Sequence, residues 1–130
     1  MNRLWRIAVL IAALGGFASS AVAAEVIHSF NSDVQVAKDG ELTVTETLRV
    51  RAEGDAMRHG IYRDFPLTFR DASGRLREVT FSVISVWRDG FHEPYHTERA
   101  HGFIRIYAGD KDVLLQPGEH TYVFEYRTGR

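Results

Sequence analysis

The strongest constraint on the fold is the alternation of apolar and polar residues between positions 42 and 51. A period of two places one set of side chains on each face of a β-strand. The apolar set is Leu42, Val44, Leu48 and Val50. Asp39-Gly40, just before it, supplies the positive φ of a tight hairpin turn. Residues 26–36 also alternate, so the sequence predicts a β-hairpin with a half-buried first strand. The predicted buried face of that strand is formed by Val26, Phe30, Val34 and Val36.

Glu46 interrupts the second strand, because it falls on the face that is otherwise apolar. A carboxylate on such a face has to be paired, hydrogen-bonded, or placed where water reaches it. One interpretation puts Glu46 at the rim of the sheet. The sharper hypothesis is a structural ion pair between Glu46 and Arg58 or Arg63.

The rest of the chain indicates further short strands separated by turns. The longest apolar strand is predicted from Arg77 to Trp87, with apolar side chains on both faces, as in a central strand. Its two faces are Val79, Phe81, Val83 and Trp87 on one side, and Ile84 and Val86 on the other. Six or seven strands with frequent turn signals, and no helical periodicity, predict an all-β fold. We expect an antiparallel β-sandwich of immunoglobulin-like type.

The first residues have the three-part layout of a secretory signal peptide. Arg3 and Arg6 form a basic region, residues 7–14 are apolar, and Ala21-Val22-Ala23 offers the small residues of a cleavage site. The apolar run is shorter than the roughly 20 residues that span a bilayer. We therefore predict a signal peptide over residues 1–24 and a single exported domain over residues 25–130.

Charge and cysteine content exclude several classes of function. Removing Arg3 and Arg6 lowers the number of basic residues from 16 to 14, against 17 acidic ones, so the mature domain has a net charge of −3. An acidic domain of this kind has no electrostatic attraction that would favour nucleic-acid binding. The chain has no cysteine, and hence no disulfide framework and no cysteine metal site. No cofactor is predicted.

The string His92-Glu93-Pro94-Tyr95-His96 matches the zinc-protease pattern His-Glu-x-x-His. That chemistry needs a helix to bring both imidazoles to one metal ion. Pro94 prevents a regular helix from carrying both histidines, so the string is interpreted as a polar loop. His92 and His96 remain only weak candidates for metal binding, and no nucleophile elbow or phosphate-binding loop is found.

Residues 58–66 carry two arginines, a histidine, a carboxylate and two aromatic residues in nine positions. In the structural interpretation, the aromatic residues cover a core edge while the arginines pair with Asp64, Glu46 or Glu53. In the functional interpretation the segment is a recognition surface, because arginine and aromatic residues are enriched at interface centres. The candidate binding residues are Arg58, Tyr62, Arg63, Asp64 and Phe65.

Residues 38–47, Lys-Asp-Gly-Glu-Leu-Thr-Val-Thr-Glu-Thr, followed by Arg-His-Gly-Ile-Tyr-Arg-Asp-Phe-Pro at 58–66, carry a family resemblance. They resemble the N-terminal domain of a family of uncharacterised bacterial membrane proteins, a domain of unknown function. Residues 118–126 resemble its next landmark strand. The resemblance implies a signal peptide, an extracytoplasmic β-rich region and later transmembrane helices. It implies no catalytic residues. The chain ends before the second half of that region, so membrane association is expected through segments absent from it.

Together these observations predict a non-enzymatic binding or interaction domain on the periplasmic or extracellular face of a bacterial membrane. Its expected partner is another envelope protein or a cell-surface ligand. The alternative is a metal-dependent or hydrolytic enzyme domain that uses the loop histidines.

Overall fold

The computed structural model describes residues 25–130, which form strands joined by turns. The predicted signal peptide lies outside the described residues. The strands are β1 Val26–Val36, β2 Leu42–Ala52, β3 Gly60–Pro66, β4 Thr68–Arg70, β5 Leu76–Glu78, β6 Thr80–Arg88, β7 Phe91–His92, β8 Tyr95–Ala100, β9 Phe103–Gly109 and β10 Gly118–Gly129. No helix in this part of the chain is long and apolar enough to cross a membrane.

The strands form three antiparallel sheets. A five-stranded sheet has the order β1-β2-β10-β6-β7, a three-stranded sheet has the order β3-β9-β8, and β4 and β5 form a small separate hairpin. The all-β, antiparallel and sandwich-like fold is confirmed, whereas the immunoglobulin-like topology stays a prediction. Ten strands appear instead of six or seven, because the predicted 77–87 strand is interrupted at Val79 and because β7 and β8 form where a polar loop was predicted.

The core lies between the five-stranded and three-stranded sheets. It consists of inward residues of β2, β10 and β6 on one side and of β3 and β9 on the other. Tyr122, Phe124, Leu48, Ile106, Val50 and Val86 are its largest fully buried side chains. The ring centroid of Phe65 lies 4.7 Å from that of Tyr126 and 4.9 Å from that of Phe81. Strand β3 is therefore held against the larger sheet by aromatic packing.

The prediction that the first strand is half buried is wrong, because every residue of β1 from Val26 to Val36 is exposed. The pairing with β2 shifts between Ile27 and Ser29. This irregularity puts Ile27, rather than Val26, on the same face as Phe30. That face points to the core side of the sheet, since Phe30 pairs with the buried Leu48. The strand stays exposed because it lies at the edge of the sheet, beyond the covering strands.

Strand β6 differs from the predicted 77–87 strand in its start and in its faces. It begins at Thr80, and its pairing with β10 shifts so that Glu125 opposes Ser85 while Tyr126 opposes Val83. Ile84 is the extra residue of this β-bulge, and a bulge reverses the alternation of faces. The assignment of Val83 and Val86 to opposite faces was therefore wrong. Both belong to the core-facing side of the sheet.

Candidate binding surface

Strand β3 divides the predicted binding residues between its two faces. Successive side chains of a strand point to opposite sides of the sheet. Arg63 and Phe65 point inward, where Phe65 is 6% exposed and packs in the core. Tyr62 and Asp64 point outward, and Tyr62 is 57% exposed. The five candidates thus do not form one site.

The outward residues of β3 are aligned with residues of β9 and β8, and together they form two rows across the three-stranded sheet. Tyr62 pairs with Tyr107 of β9, which pairs with His96 of β8. The second row, which runs beside the first, is formed by Asp64, Arg105 and Glu98. We call these six outward side chains the tyrosine face.

Arg105 lies at the centre of the tyrosine face and is fixed by charge and by aromatic contact. Its Nε and Nη2 donate to the two carboxylate oxygens of Asp64 at 2.6 and 2.7 Å, a bidentate geometry. The guanidinium carbon lies 4.1 Å from the ring centroid of Tyr62 and 5.8 Å from that of Tyr107. The hydrogen bonds from Arg105 hold the pKa of Asp64 below its usual value, and the same contact raises the pKa of Arg105.

The aromatic row contains one stacked ring pair and one tilted ring pair. His96 lies on Tyr107 with ring centroids 4.5 Å apart and planes 13° from parallel. Tyr62 and Tyr107 are tilted, with centroids 6.0 Å apart. Glu98 Oε2 lies 3.5 Å from the hydroxyl of Tyr107. The row offers a partly exposed aromatic surface with polar groups at its margin.

A shallow hollow of about 370 Å³ adjoins the aromatic row. Its lining includes Tyr62, His96 and Tyr107, together with Arg58, His59 and Lys111. Arg58 therefore borders the tyrosine face, and its carbonyl accepts a hydrogen bond from the Leu115 amide at 2.8 Å. The added side chains make this end of the face basic, although Asp110 also lines the hollow.

On the inner side of β3, the structure brings Arg63 and Glu46 together. Arg63 donates from Nε and Nη2 to Oε2 of Glu46 at 3.1 and 2.7 Å, and Tyr126 donates its hydroxyl to Oε1 at 3.0 Å. Glu46 is only 5% exposed, so it is not a rim residue. Within residues 25–130, no hydrogen bond to Glu46 comes from Arg58. Arg63 thus forms a structural ion pair on the face of β3 opposite Tyr62 and Asp64, with 28% of its side chain still exposed.

His92 and His96 lie on two short strands rather than in the predicted polar loop. His92 stacks on Trp87 of β6 with ring centroids 3.7 Å apart, whereas His96 stacks on Tyr107 of β9. The glutamate between them, Glu93, forms an ion pair with Arg88. No group of three or more histidine, cysteine, aspartate or glutamate side chains in the described residues is arranged to hold a metal ion.

Sequence analysis missed half of the tyrosine face. Arg105 and Tyr107 alternate with the buried Ile104 and Ile106, so their outward direction was readable from the period of two. Their position opposite Tyr62 and Asp64 was not readable, because it depends on the register between β3 and β9.

The hydrogen-bonded cluster of a buried histidine outside this surface was also not predicted. The ring nitrogens of His120 lie 2.6 Å from Oδ2 of Asp89 and 2.6 Å from the carbonyl oxygen of Gln116. Asp89 Oδ1 also accepts from the Thr121 amide at 2.8 Å. Burial acts to raise the pKa of Asp89, but these hydrogen bonds outweigh it and the pKa is lowered. The cluster ties the turn after β6 to the start of β10.

Comparison with known proteins gives one family and one named relative. Residues 26–130 match the family described as "Predicted membrane protein (DUF2207) N-terminal domain". The chain is 30% identical over 103 residues to "Uncharacterized protein YciQ" of Escherichia coli (strain K12). The match covers 79% of this chain and 16% of that relative, so the chain spans about a sixth of its length. No solved structure matches.

Proposed function

Because the chain belongs to this family of predicted membrane proteins, whose N-terminal domain it matches, we propose that residues 25–130 form an interaction domain of an envelope membrane protein. We place the domain on the periplasmic or extracellular side of the membrane. The support is the sequence of residues 1–24, which has the basic, apolar and small-residue regions of an export signal. The rest of the membrane protein would hold the domain at the membrane.

The tyrosine face is the proposed binding surface. The observation that carries the proposal is Arg105, held against Tyr62 by its bidentate bond to Asp64 while its side chain remains 30% exposed. Tyrosine and arginine dominate the centres of protein interfaces, because they combine a large contact area with directional hydrogen bonds. A side chain that is already fixed loses little entropy when a partner binds.

The chemistry of the face favours another envelope protein or a cell-surface ligand with both apolar and hydrogen-bonding groups. The charge of Arg105 is already balanced by Asp64, so the face does not act as a simple anion site. Its stacked rings would contact flat or apolar groups of the partner. The polar margin, which includes Glu98 and His96, would supply the hydrogen bonds that set specificity.

Cross-linking in intact envelopes tests this function. The wild-type protein and the variants Tyr62→Ala and Arg105→Ala are compared after cross-linking, and captured proteins are identified by mass spectrometry. Any candidate is then purified and its binding to the domain is measured directly. We expect both variants to weaken binding by about tenfold or more, as at an interface hot spot.

Arg49→Ala is the matched control, because Arg49 is exposed on the other sheet and, among residues 25–130, forms an ion pair only with Glu119, at 3.1 Å. This control should bind like the wild type. Melting temperatures of all variants exclude a loss of binding through unfolding. Recovery of no partner that depends on both Tyr62 and Arg105 would reject the proposed function.

A further inference from the structure

The two main sheets differ in width, and the difference leaves one strip of apolar surface exposed. Five strands lie on one side of the core and three on the other. The core-facing side of β1 presents Ile27, Phe30, Val34 and Val36, which are 59%, 51%, 49% and 71% exposed. We call these four residues the β1 row. Natural proteins seldom leave a long, apolar edge strand of this kind open.

The free edge of β3 faces the β1 row. At the other edge of the three-stranded sheet, Arg99 of β8 lies over β6, where its Nη2 is 3.5 Å from the Phe81 carbonyl oxygen. Strand β3, at the opposite edge of the three-stranded sheet from β8, therefore lies on the side of β1. Its Arg63 guanidinium is 5.3 Å from the Phe30 ring centroid. Strand β9 occupies one edge of β3, and no strand of the described chain pairs with the other. A fourth strand added to the smaller sheet next to β3 would occupy the space above the β1 row.

The end of β10 lies at one end of this space. Arg130 lines an open hollow of about 670 Å³ that is also lined by Pro66, the last residue of β3, and by Leu42. Leu42 is the partner of Val36 in the β1–β2 register. Polypeptide that continues beyond Arg130 would thus emerge beside β3 and beside one end of the β1 row. In the E. coli relative the matched region is only 16% of the protein, and the matched domain is described as N-terminal.

We propose that a β-strand from the polypeptide following this domain in the full-length protein pairs with the free edge of β3 and covers the β1 row. The strand would run antiparallel to β3, starting near Pro66 and ending near Gly60. About six residues with apolar side chains at alternate positions would match the length of β3 and the spacing of the row. Burial of those side chains against Phe30 and Val34 would drive the addition.

A second copy of the chain fits this surface less well. Two copies paired through their β1 edges would form one continuous sheet, but each β1 row would still lack a covering strand. A strand added at β3 would pair with the backbone groups along the free edge of the smaller sheet and would also cover the β1 row. The geometry therefore favours a segment of the same polypeptide as the occupant.

Site-specific photo-cross-linking tests the proposal in cells that carry the gene at its native locus, so that all polypeptide after Arg130 is present. Val34 is replaced by p-benzoylphenylalanine, and Gln35 is replaced in a matched control. Both positions are exposed, but neighbouring residues of a strand point to opposite faces. Cross-linked peptides are mapped by mass spectrometry, and gel mobility reports the size of the product.

We expect the Val34 probe to link to a peptide from beyond residue 130 without a change in the mass of the protein. That product should be about tenfold more abundant than with the Gln35 probe, because only Val34 faces the covering strand. A product of doubled mass would identify a second copy instead and overturn the proposal. A link to a different protein, or equal labelling from both positions, would overturn it as well.

Discussion

Arg63 crosses from the smaller sheet to hold the carboxylate of Glu46 on the larger one, with both of its hydrogen bonds on the same oxygen, Oε2. The remaining oxygen accepts the hydroxyl of Tyr126. Both oxygens of this nearly buried carboxylate therefore have partners. Such a network fixes the position of β3 over β2 and β10, because moving the strand would leave a buried charge without a partner.

Replacing Glu46 by Gln should destabilise the domain by about 2 kcal/mol, which lowers the melting temperature by roughly 10 °C. The amide keeps one acceptor but loses the charge that Arg63 pairs with. Thermal unfolding followed by circular dichroism measures the change. Glu41→Gln is the control, because Glu41 is exposed and lies 3.9 Å from Arg127, so its effect should stay within about 0.5 kcal/mol. An unchanged melting temperature for Glu46→Gln would contradict the structural role of the pair.

Two tyrosine-to-phenylalanine substitutions should differ in their effect on stability. Tyr126→Phe removes the hydroxyl that binds Glu46 and should cost about 1–2 kcal/mol. The Tyr122 hydroxyl is buried without a hydrogen-bond partner in the described residues, so Tyr122→Phe should be neutral or stabilising by up to about 1 kcal/mol. Urea unfolding of the two variants gives both values. Equal losses would show that the Tyr126–Glu46 bond contributes nothing specific.

These details mark the limit of what the sequence could predict. Alternation identified β2, and the position of Glu46 in an apolar row left two predictions open, a rim position or an ion pair with Arg58 or Arg63. Local pattern did not reveal the bulge at Ile84 or the irregularity at His28, because a bulge depends on the pairing of two strands. Half of the tyrosine face was missed for the same reason. Its six side chains come from three strands whose register the sequence does not state.

Gly60 and Gly109 form a cross-strand pair that tolerates no side chain. A Cβ at Gly60 would lie 1.9 Å from the carbonyl oxygen of Ala108, and the φ of +142° is itself unfavourable for other residues. Gly60→Ala should therefore cost about 3 kcal/mol or more, or prevent folding. Gly40→Ala is the control, since nothing lies within 4 Å of its Cβ and only the φ of +88° is strained, at about 1–2 kcal/mol. Comparable soluble yields and melting temperatures for the two variants would show that β3 and β9 separate easily at this end.

Zinc should not bind stoichiometrically through His92 and His96, because the two imidazoles stack on aromatic rings of different sheets. Isothermal titration of the wild-type protein and of the double variant His92→Ala/His96→Ala with zinc measures this. We expect no tight binding that the double substitution removes. Stoichiometric binding lost in the double variant would instead favour a metal-dependent activity and weaken the proposed interaction function.

The stability of the hairpin formed by β4 and β5 should depend on pH through the carboxylate of Asp71. Its Oδ1 accepts from the hydroxyl and the amide of Ser73 and from the amide of Arg75, and its Oδ2 accepts from Arg77. These bonds, chiefly those from the Ser73 hydroxyl and Arg77, lower the pKa of Asp71 from 3.8 to about 2. Because the folded pKa is depressed, the stabilisation is complete above pH 3.8 and is lost as the pH falls through about 2.

The amide resonances of Ser73 and Arg75 should therefore move with a midpoint near pH 2 in an NMR titration. Asp71→Asn should abolish that step, because the amide cannot titrate. A midpoint close to 3.8 would mean that the carboxylate is free in solution. In that case the turn between β4 and β5 would be held by its backbone hydrogen bonds alone, such as the one from the Gly74 amide to the Asp71 carbonyl at 2.8 Å.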